Sequence, residues 1–151
     1  MFIYAVVFGL LPDILGEGLM FSFSFMGLDN MPGFEHGHPD ITDFPLWAQS
    51  FYNTSHSLLV FILIFAVVWI IRKRPFWPLA AWGIHIIIDI PTHSIELFPT
   101  PFLWPISSFK VDGLGWDNPY ILVPNFTLLL IVYLTWWYRR RAIRRSKPTA
   151  Q

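Results

Sequence analysis

The chain has 151 residues, of which 54% are hydrophobic and 13% charged, with eight Trp, fifteen Phe and no Cys. That is too apolar for an ordinary soluble domain of one-domain length, and it excludes a disulfide framework or a thiolate metal site. The net charge is zero. However, nine of the ten Lys and Arg fall at 72–74 or 139–147, and all ten acids fall at 13–43 or 89–117. Such segregation is a signal of membrane topology and argues against nucleic-acid binding.

Met1 to Leu11 is apolar and is interrupted by Pro12-Asp13. Eleven helical residues span only ~17 Å, short of the ~30 Å hydrocarbon core. Either the helix continues through Asp13 and Glu17 to about Leu28, or a further piece precedes Met1. No basic n-region or small-residue cleavage site marks a signal peptide.

Asp29 to Ser50 holds three prolines together with Glu35, His36, His38, Asp40 and Asp43. It reads as a polar loop with a short interfacial helix around Trp47. The Glu35-His36-Gly37-His38 tract suits either metal ligation or a solvated loop.

Ser57 to Ile71 is apolar and stops at Arg72-Lys73-Arg74. Extended back to about residue 54 it predicts a span, with Thr54 or Ser55 capping its start. A further span is predicted over 76–91, with Trp77 and Pro78 near the basic end. Pro91 to Asn118, rich in Pro, Gly and Trp, is expected to be irregular and to fold back onto the helix ends. The last span covers 119–138 and closes on Trp136-Trp137-Tyr138, followed by Arg139-Arg140-Arg141. The expected architecture is all-α and integral to the membrane. It has about four transmembrane helices (1–28, 54–71, 76–91, 119–138) in one domain over 1–138, an irregular Pro/Trp-rich outer segment, and a basic cytoplasmic tail over 139–151, disordered beyond Arg145.

The bias of Lys and Arg toward cytoplasmic loops sets the orientation. Both basic clusters lie inside, so the N- and C-termini are cytoplasmic and the acidic loops face outward. In a bacterium this is a multi-pass protein of the inner membrane.

His85 and Asp89 stand at i and i+4 and so project from one helix face. His93 follows one turn later if Pro91 does not divert the chain. Histidine and carboxylate on one face offer nitrogen and oxygen ligands to a divalent metal, and the same pattern suits a pair hydrogen-bonded across a helix interface. Helical rise from the basic ends adds to the metal reading. Asp13 lies ~20 Å from Met1, His56 ~24 Å from Arg72, and His85 and Asp89 ~17 and ~22 Å from Arg74. Four polar residues from three spans thus reach one level in the outer half of the membrane. Ionisable groups at that depth are costly and normally turn inward to pair. A divalent cation would neutralise the carboxylates and occupy the imidazole lone pairs. A hydrated pocket without metal is the simpler alternative.

Several motifs occur in order: Gly9-Leu-Leu-Pro12-Asp13, Tyr52-Asn-Thr-Ser-His56-Ser57-Leu58, His85-Ile-Ile-Ile-Asp89-Ile-Pro91-Thr-His93-Ser94 and Pro99-Thr-Pro-Phe-Leu-Trp-Pro105. As a set they resemble the YdjM-like family of small prokaryotic inner-membrane proteins, described as membrane-bound metal-dependent hydrolases. The likeness covers about residues 9 to 120. It implies a multi-span helical protein whose metal-site residues are Asp13, His56, His85 and Asp89, with His93 as an additional or supporting ligand. It also implies a further His ahead of the first helix, which has no counterpart between Met1 and Leu11.

On this reading a metal held by His and Asp activates water and polarises a phosphoryl or carbonyl oxygen. Glu17 or Asp13 takes the proton as the catalytic base. A set of oxygen and nitrogen donors without sulfur suits Zn or Mn. An outer-leaflet site with an aromatic lip (Phe98, Phe102, Trp104) suits a lipid ester or phosphoester. The alternative is a non-catalytic membrane protein, either an ion or metal transporter or a partner-binding scaffold. The nearly unbroken apolar stretches Phe61–Ile71 and Phe126–Thr135 argue against a polar path through the protein. Ser57 and Ser94 are poor nucleophile candidates, because sequence neighbours on a helix point apart.

Overall fold

The computed structural model describes residues 1–28, 41–96 and 98–145, with the side chains of 142–145 excluded. The Glu35–Asp40 tract and the tail beyond Arg145 lie outside the described residues. Among the described residues every regular element is helical, and there is no strand.

The first helical run starts as α1 (Phe2–Asp13), widens into a π turn at Ile14–Gly18, and continues as α2 (Leu19–Phe25). Pro12 sits inside α1. It has no N–H to donate, and its ring crowds the carbonyl one turn back, so the helix cannot continue unperturbed. The wider turn follows directly, and the Leu19 N–H reaches back five residues to the Ile14 carbonyl.

A single 3-10 turn, Ile41–Asp43, leads to α3 (Leu46–Ser55), which holds the helix expected around Trp47. Next comes α4 (Leu58–Arg72), bent by 61° from α3. The expected Thr54 or Ser55 cap is not used. Helix α3 runs on through both residues, His56 breaks it, and Ser57 caps α4, its Oγ accepting the Val60 N–H at 3.2 Å. A Ser at the residue between two helices can turn its hydroxyl onto orphan N–H groups, whereas one inside a helix cannot. At its other end α4 closes on Arg72, with Lys73 in the left-handed region at φ 57°.

The 3-10 turn Trp77–Leu79 opens α5 (Ala80–Thr92), which ends where His93 turns extended. The segment from His93 to Gly115 has no helix or strand among its described residues. It lies back over the helix ends. The Leu58 N–H donates to the Phe102 carbonyl at 3.0 Å, and Ser57 Oγ donates to the Trp104 carbonyl at 2.5 Å. Gly113 and Leu114 donate N–H to the carbonyls of His93 and Pro91, at 2.9 and 3.0 Å.

Two apolar clusters hold the unit Met1–Gly115 together. One joins Met20, Ile41, Phe44, Ala48, Tyr52 and Phe98. The other packs Leu79, Trp82 and Ile86 against Phe8, Phe61, Phe65 and their neighbours. Phe98 therefore belongs to the core and not to an exposed lip. It is buried, and its ring packs on Tyr52 and Phe44. Phe102 likewise packs against the second cluster. By contrast, α4 buries none of its residues and exposes large apolar side chains along its length. In water this would be untenable, whereas in lipid it is ordinary.

The second unit, Trp116–Gln151, contains α6 (Pro119–Arg145), which continues through the basic run expected to be a tail. Among the described residues two helical stretches are long and apolar enough to cross a membrane, Phe2–Phe25 and Pro119–Arg141, and the bent pair α3–α4 makes a third if it is one span. Helices of this length and composition mark the chain as a helical membrane protein. The fourth span expected over 76–91 is a 3-10 turn followed by a helix of 13 residues. Such a helix is ~20 Å long, short of the hydrocarbon thickness.

Candidate metal centre

Four polar side chains from distant parts of the unit Met1–Gly115 meet in one place. Asp13 closes α1 just ahead of the π turn, His56 occupies the break between α3 and α4, and His85 and Asp89 share one face of α5. His85 Nε2 lies 3.1 Å from Asp13 Oδ1 and 2.9 Å from Asp89 Oδ2. His56 Nε2 lies 3.7 Å from Asp13 Oδ1 and 3.8 Å from Asp89 Oδ2. Asp13, His56 and His85 offer donor atoms that all fall within 4.8 Å of one another, and Asp89 closes the set through its contacts to both imidazoles.

The His56 imidazole is fixed from behind. Its Nδ1 lies 3.1 Å from both the Tyr52 carbonyl one turn back and Ser55 Oγ; where Nδ1 donates to the carbonyl, Nε2 is left as the free acceptor. The Nε2 lone pair then faces Asp13, His85 and Asp89. Tyr52 also stacks on the ring, with centroids 4.3 Å apart at 28°, and its hydroxyl donates to the Phe98 carbonyl. Trp82 Nε1 donates to the Ser55 carbonyl at 2.6 Å, tying α5 to the end of α3. This is the supporting shell expected behind a metal-ligating histidine.

Three atoms in the centre, His56 Nε2, His85 Nε2 and Asp89 Oδ2, are buried without a hydrogen-bond partner. The 2.9 Å between His85 and Asp89 is a close approach whose angles do not make a hydrogen bond. Leaving one such atom unpaired costs about 1–3 kcal/mol, a cost that a shared cation or a bound water would relieve, and His85 Nε2 also stands within ion-pair distance of both carboxylates. Donors ~2.0–2.2 Å from a tetrahedral ion stand roughly 3.3–3.6 Å from one another. The four observed separations, 2.9 to 3.8 Å, bracket that spacing. The donor set therefore fits a divalent cation.

His93 stands at the edge of this set. Its Nδ1 is 3.9 Å from Asp89 Oδ1 and 3.2 Å from the Asp89 carbonyl. Burial, opposed by the Asp89 carboxylate, holds its imidazole below the ordinary histidine pKa and keeps the ring neutral near pH 7. Glu17 lies half-buried in the π turn, four residues after Asp13. Asp13 is the most open member, its side chain half exposed.

From the sequence, Gly16 and Trp82 have no role, Ser55 only that of a helix cap and Tyr52 only a place in a motif. The Tyr52-His56 spacing of i and i+4 was the one local signal. A Cβ on Gly16 would stand 3.1 Å from the Tyr52 ring and 3.3 Å from His56 Cε1, which only the tertiary arrangement reveals. No family model, curated protein or solved structure matches the chain.

Proposed function

We propose that this chain is a membrane-bound metal-dependent hydrolase of the YdjM-like kind, with Asp13, His56, His85 and Asp89 holding one divalent ion, Zn or Mn. The observation that carries the reading is the convergence of three unpartnered buried donor atoms with the Asp13 carboxylate. Such an ion supplies Lewis acidity toward a phosphoryl or carbonyl oxygen and makes water nucleophilic at neutral pH. His56 and His85 would hold it through Nε2, Asp89 through Oδ2 and Asp13 through Oδ1. Tyr52 and Trp82 keep His56 in place, and His93 braces Asp89. Glu17, beside the centre and not among the donors, accepts the proton of the attacking water, with Asp13 as the alternative acceptor.

The bent pair α3–α4 counts as one span and α5 as a short one, which makes four with Phe2–Phe25 and α6. Both basic clusters and both termini then lie on the cytoplasmic side of the inner membrane. A centre flanked by lipid-facing helices suits an amphiphilic substrate, a lipid ester or phosphoester.

The test is elemental analysis of detergent-purified protein, wild type beside His85→Ala and Asp89→Ala. Near-stoichiometric zinc or manganese in the wild type, lost in both folded variants, is expected. Absence of metal after reconstitution removes the hydrolase and leaves a hydrated pocket. If metal binds but purified protein leaves lipid esters and phosphoesters intact while cleaving a soluble ester, the substrate class is wrong. A transporter or scaffold remains the second reading. Between Leu58 and Ile71 α4 has no polar residue, which offers no polar path along that helix and disfavours the transporter. An unchanged cellular phenotype in both alanine variants would favour the scaffold.

A further inference from the structure

The end of α6 carries a feature that the metal centre does not use. Trp136 and Arg140 are one helical turn apart, as are Trp137 and Arg141. Arg140 Cζ lies 4.5 Å from the Trp136 ring centroid, and Arg141 Cζ lies 3.8 Å from that of Trp137. These two adjacent rungs line a hollow of about 260 Å³ formed by these four side chains. No Asp or Glu follows Asp117, whereas six Lys and Arg follow it, all between Arg139 and Lys147. The guanidinium groups are thus held on indole faces instead of in ion pairs with side chains of their own helix.

Stacking on an indole occupies a guanidinium face and leaves its in-plane donors pointing outward. Two such forks lining one hollow present a doubly charged set of donors, the chemistry that recognises phosphate oxygens. The position settles the source of the phosphate. The cluster closes a candidate membrane span whose preceding residues are apolar and unburied, and aromatic residues at a span's end sit at headgroup level. We propose that Trp136, Trp137, Arg140 and Arg141 form a binding site for the phosphate of an anionic phospholipid headgroup, with the indoles against the glycerol and upper acyl region.

The test is native mass spectrometry of the full chain in neutral detergent, titrated separately with phosphatidylglycerol, phosphatidylcholine and inorganic phosphate. Wild type is expected to retain phosphatidylglycerol in preference to phosphatidylcholine and to be unaffected by inorganic phosphate. The double variant Arg140→Gln/Arg141→Gln should lose that preference by ~30-fold, taking about 1 kcal/mol for each basic residue at the headgroup level. Arg144→Gln/Arg145→Gln removes the same charge farther along the sequence and should retain the lipid. Circular dichroism confirms that each variant is folded. Equal losses in the two double variants would reduce the effect to net charge and overturn the site. So would equal retention of the two lipids by wild type, or displacement of the lipid by inorganic phosphate.

Discussion

Gly16 lies flat against the imidazole of His56. A Cβ placed on it would stand 3.3 Å from His56 Cε1 and 3.1 Å from the Tyr52 ring. The first helical run can therefore approach the α3–α4 break closely only because this residue has no side chain. Gly16→Ala should displace the ring by a few tenths of an ångström and lower metal affinity by about tenfold, as supporting-shell changes do. Alanine is the better helix former, so the melting temperature of the metal-free protein should not fall. A chelator-competition titration beside a thermal melt separates the two effects. Unchanged affinity would mean that the ring position is not critical.

Tyr52 makes two kinds of contact that one substitution can separate. Tyr52→Phe removes the hydroxyl that donates to the Phe98 carbonyl but keeps the ring stack on His56 and the backbone carbonyl that His56 Nδ1 uses. The variant should lose about 1–3 kcal/mol of stability for the unpaired buried carbonyl and still bind metal. Thermal unfolding in detergent with metal quantification checks both halves.

Ser57→Ala removes the cap of α4 and the donor to the Trp104 carbonyl. Loss of a cap costs about 1 kcal/mol, and the freed carbonyl adds to it. The expected result is a lowered melting temperature, with hydrogen exchange raised first in the opening turn of α4.

Gly113→Ala places a methyl group against the carbonyls of Pro91 and His93. Backbone cannot swing aside as a side-chain tip can, so the irregular segment must lift from the end of α5. A loss of about 1–3 kcal/mol is expected, as for overpacking elsewhere. The shared hydrogen bonds of Gly113 and Leu114 should then exchange faster.

The absence of cysteine makes the proposed orientation directly measurable. Lys73→Cys should react with a membrane-impermeant maleimide only after cells are opened, and Ser108→Cys should react in intact cells. The reverse pattern would invert the topology and place the acidic loops inside.

The parts of this protein legible in its sequence are those set by short-range geometry and by solvent. Composition and the segregation of charge identify a helical membrane protein, because a bilayer accepts long apolar helices and rejects unpaired charge. The pairing of His85 with Asp89 follows from helical periodicity alone, and the structure has the two side chains 2.9 Å apart.

What only the tertiary structure decided lies between elements. Helical rise places His56 on a straight helix, but it occupies a 61° break. It reaches Asp13 and Asp89 because the chain bends there and Gly16 leaves room. Phe98, expected on a lip, is buried because Tyr52 needs its carbonyl and its ring fills the first cluster. Pro12 could be read as an interruption, but not that a π turn would follow it and set Glu17 near Asp13. Periodicity specifies which residues share a face, but not which face meets it. That choice depends on close packing between distant segments, and a glycine's missing side chain leaves no pattern in the sequence to announce it.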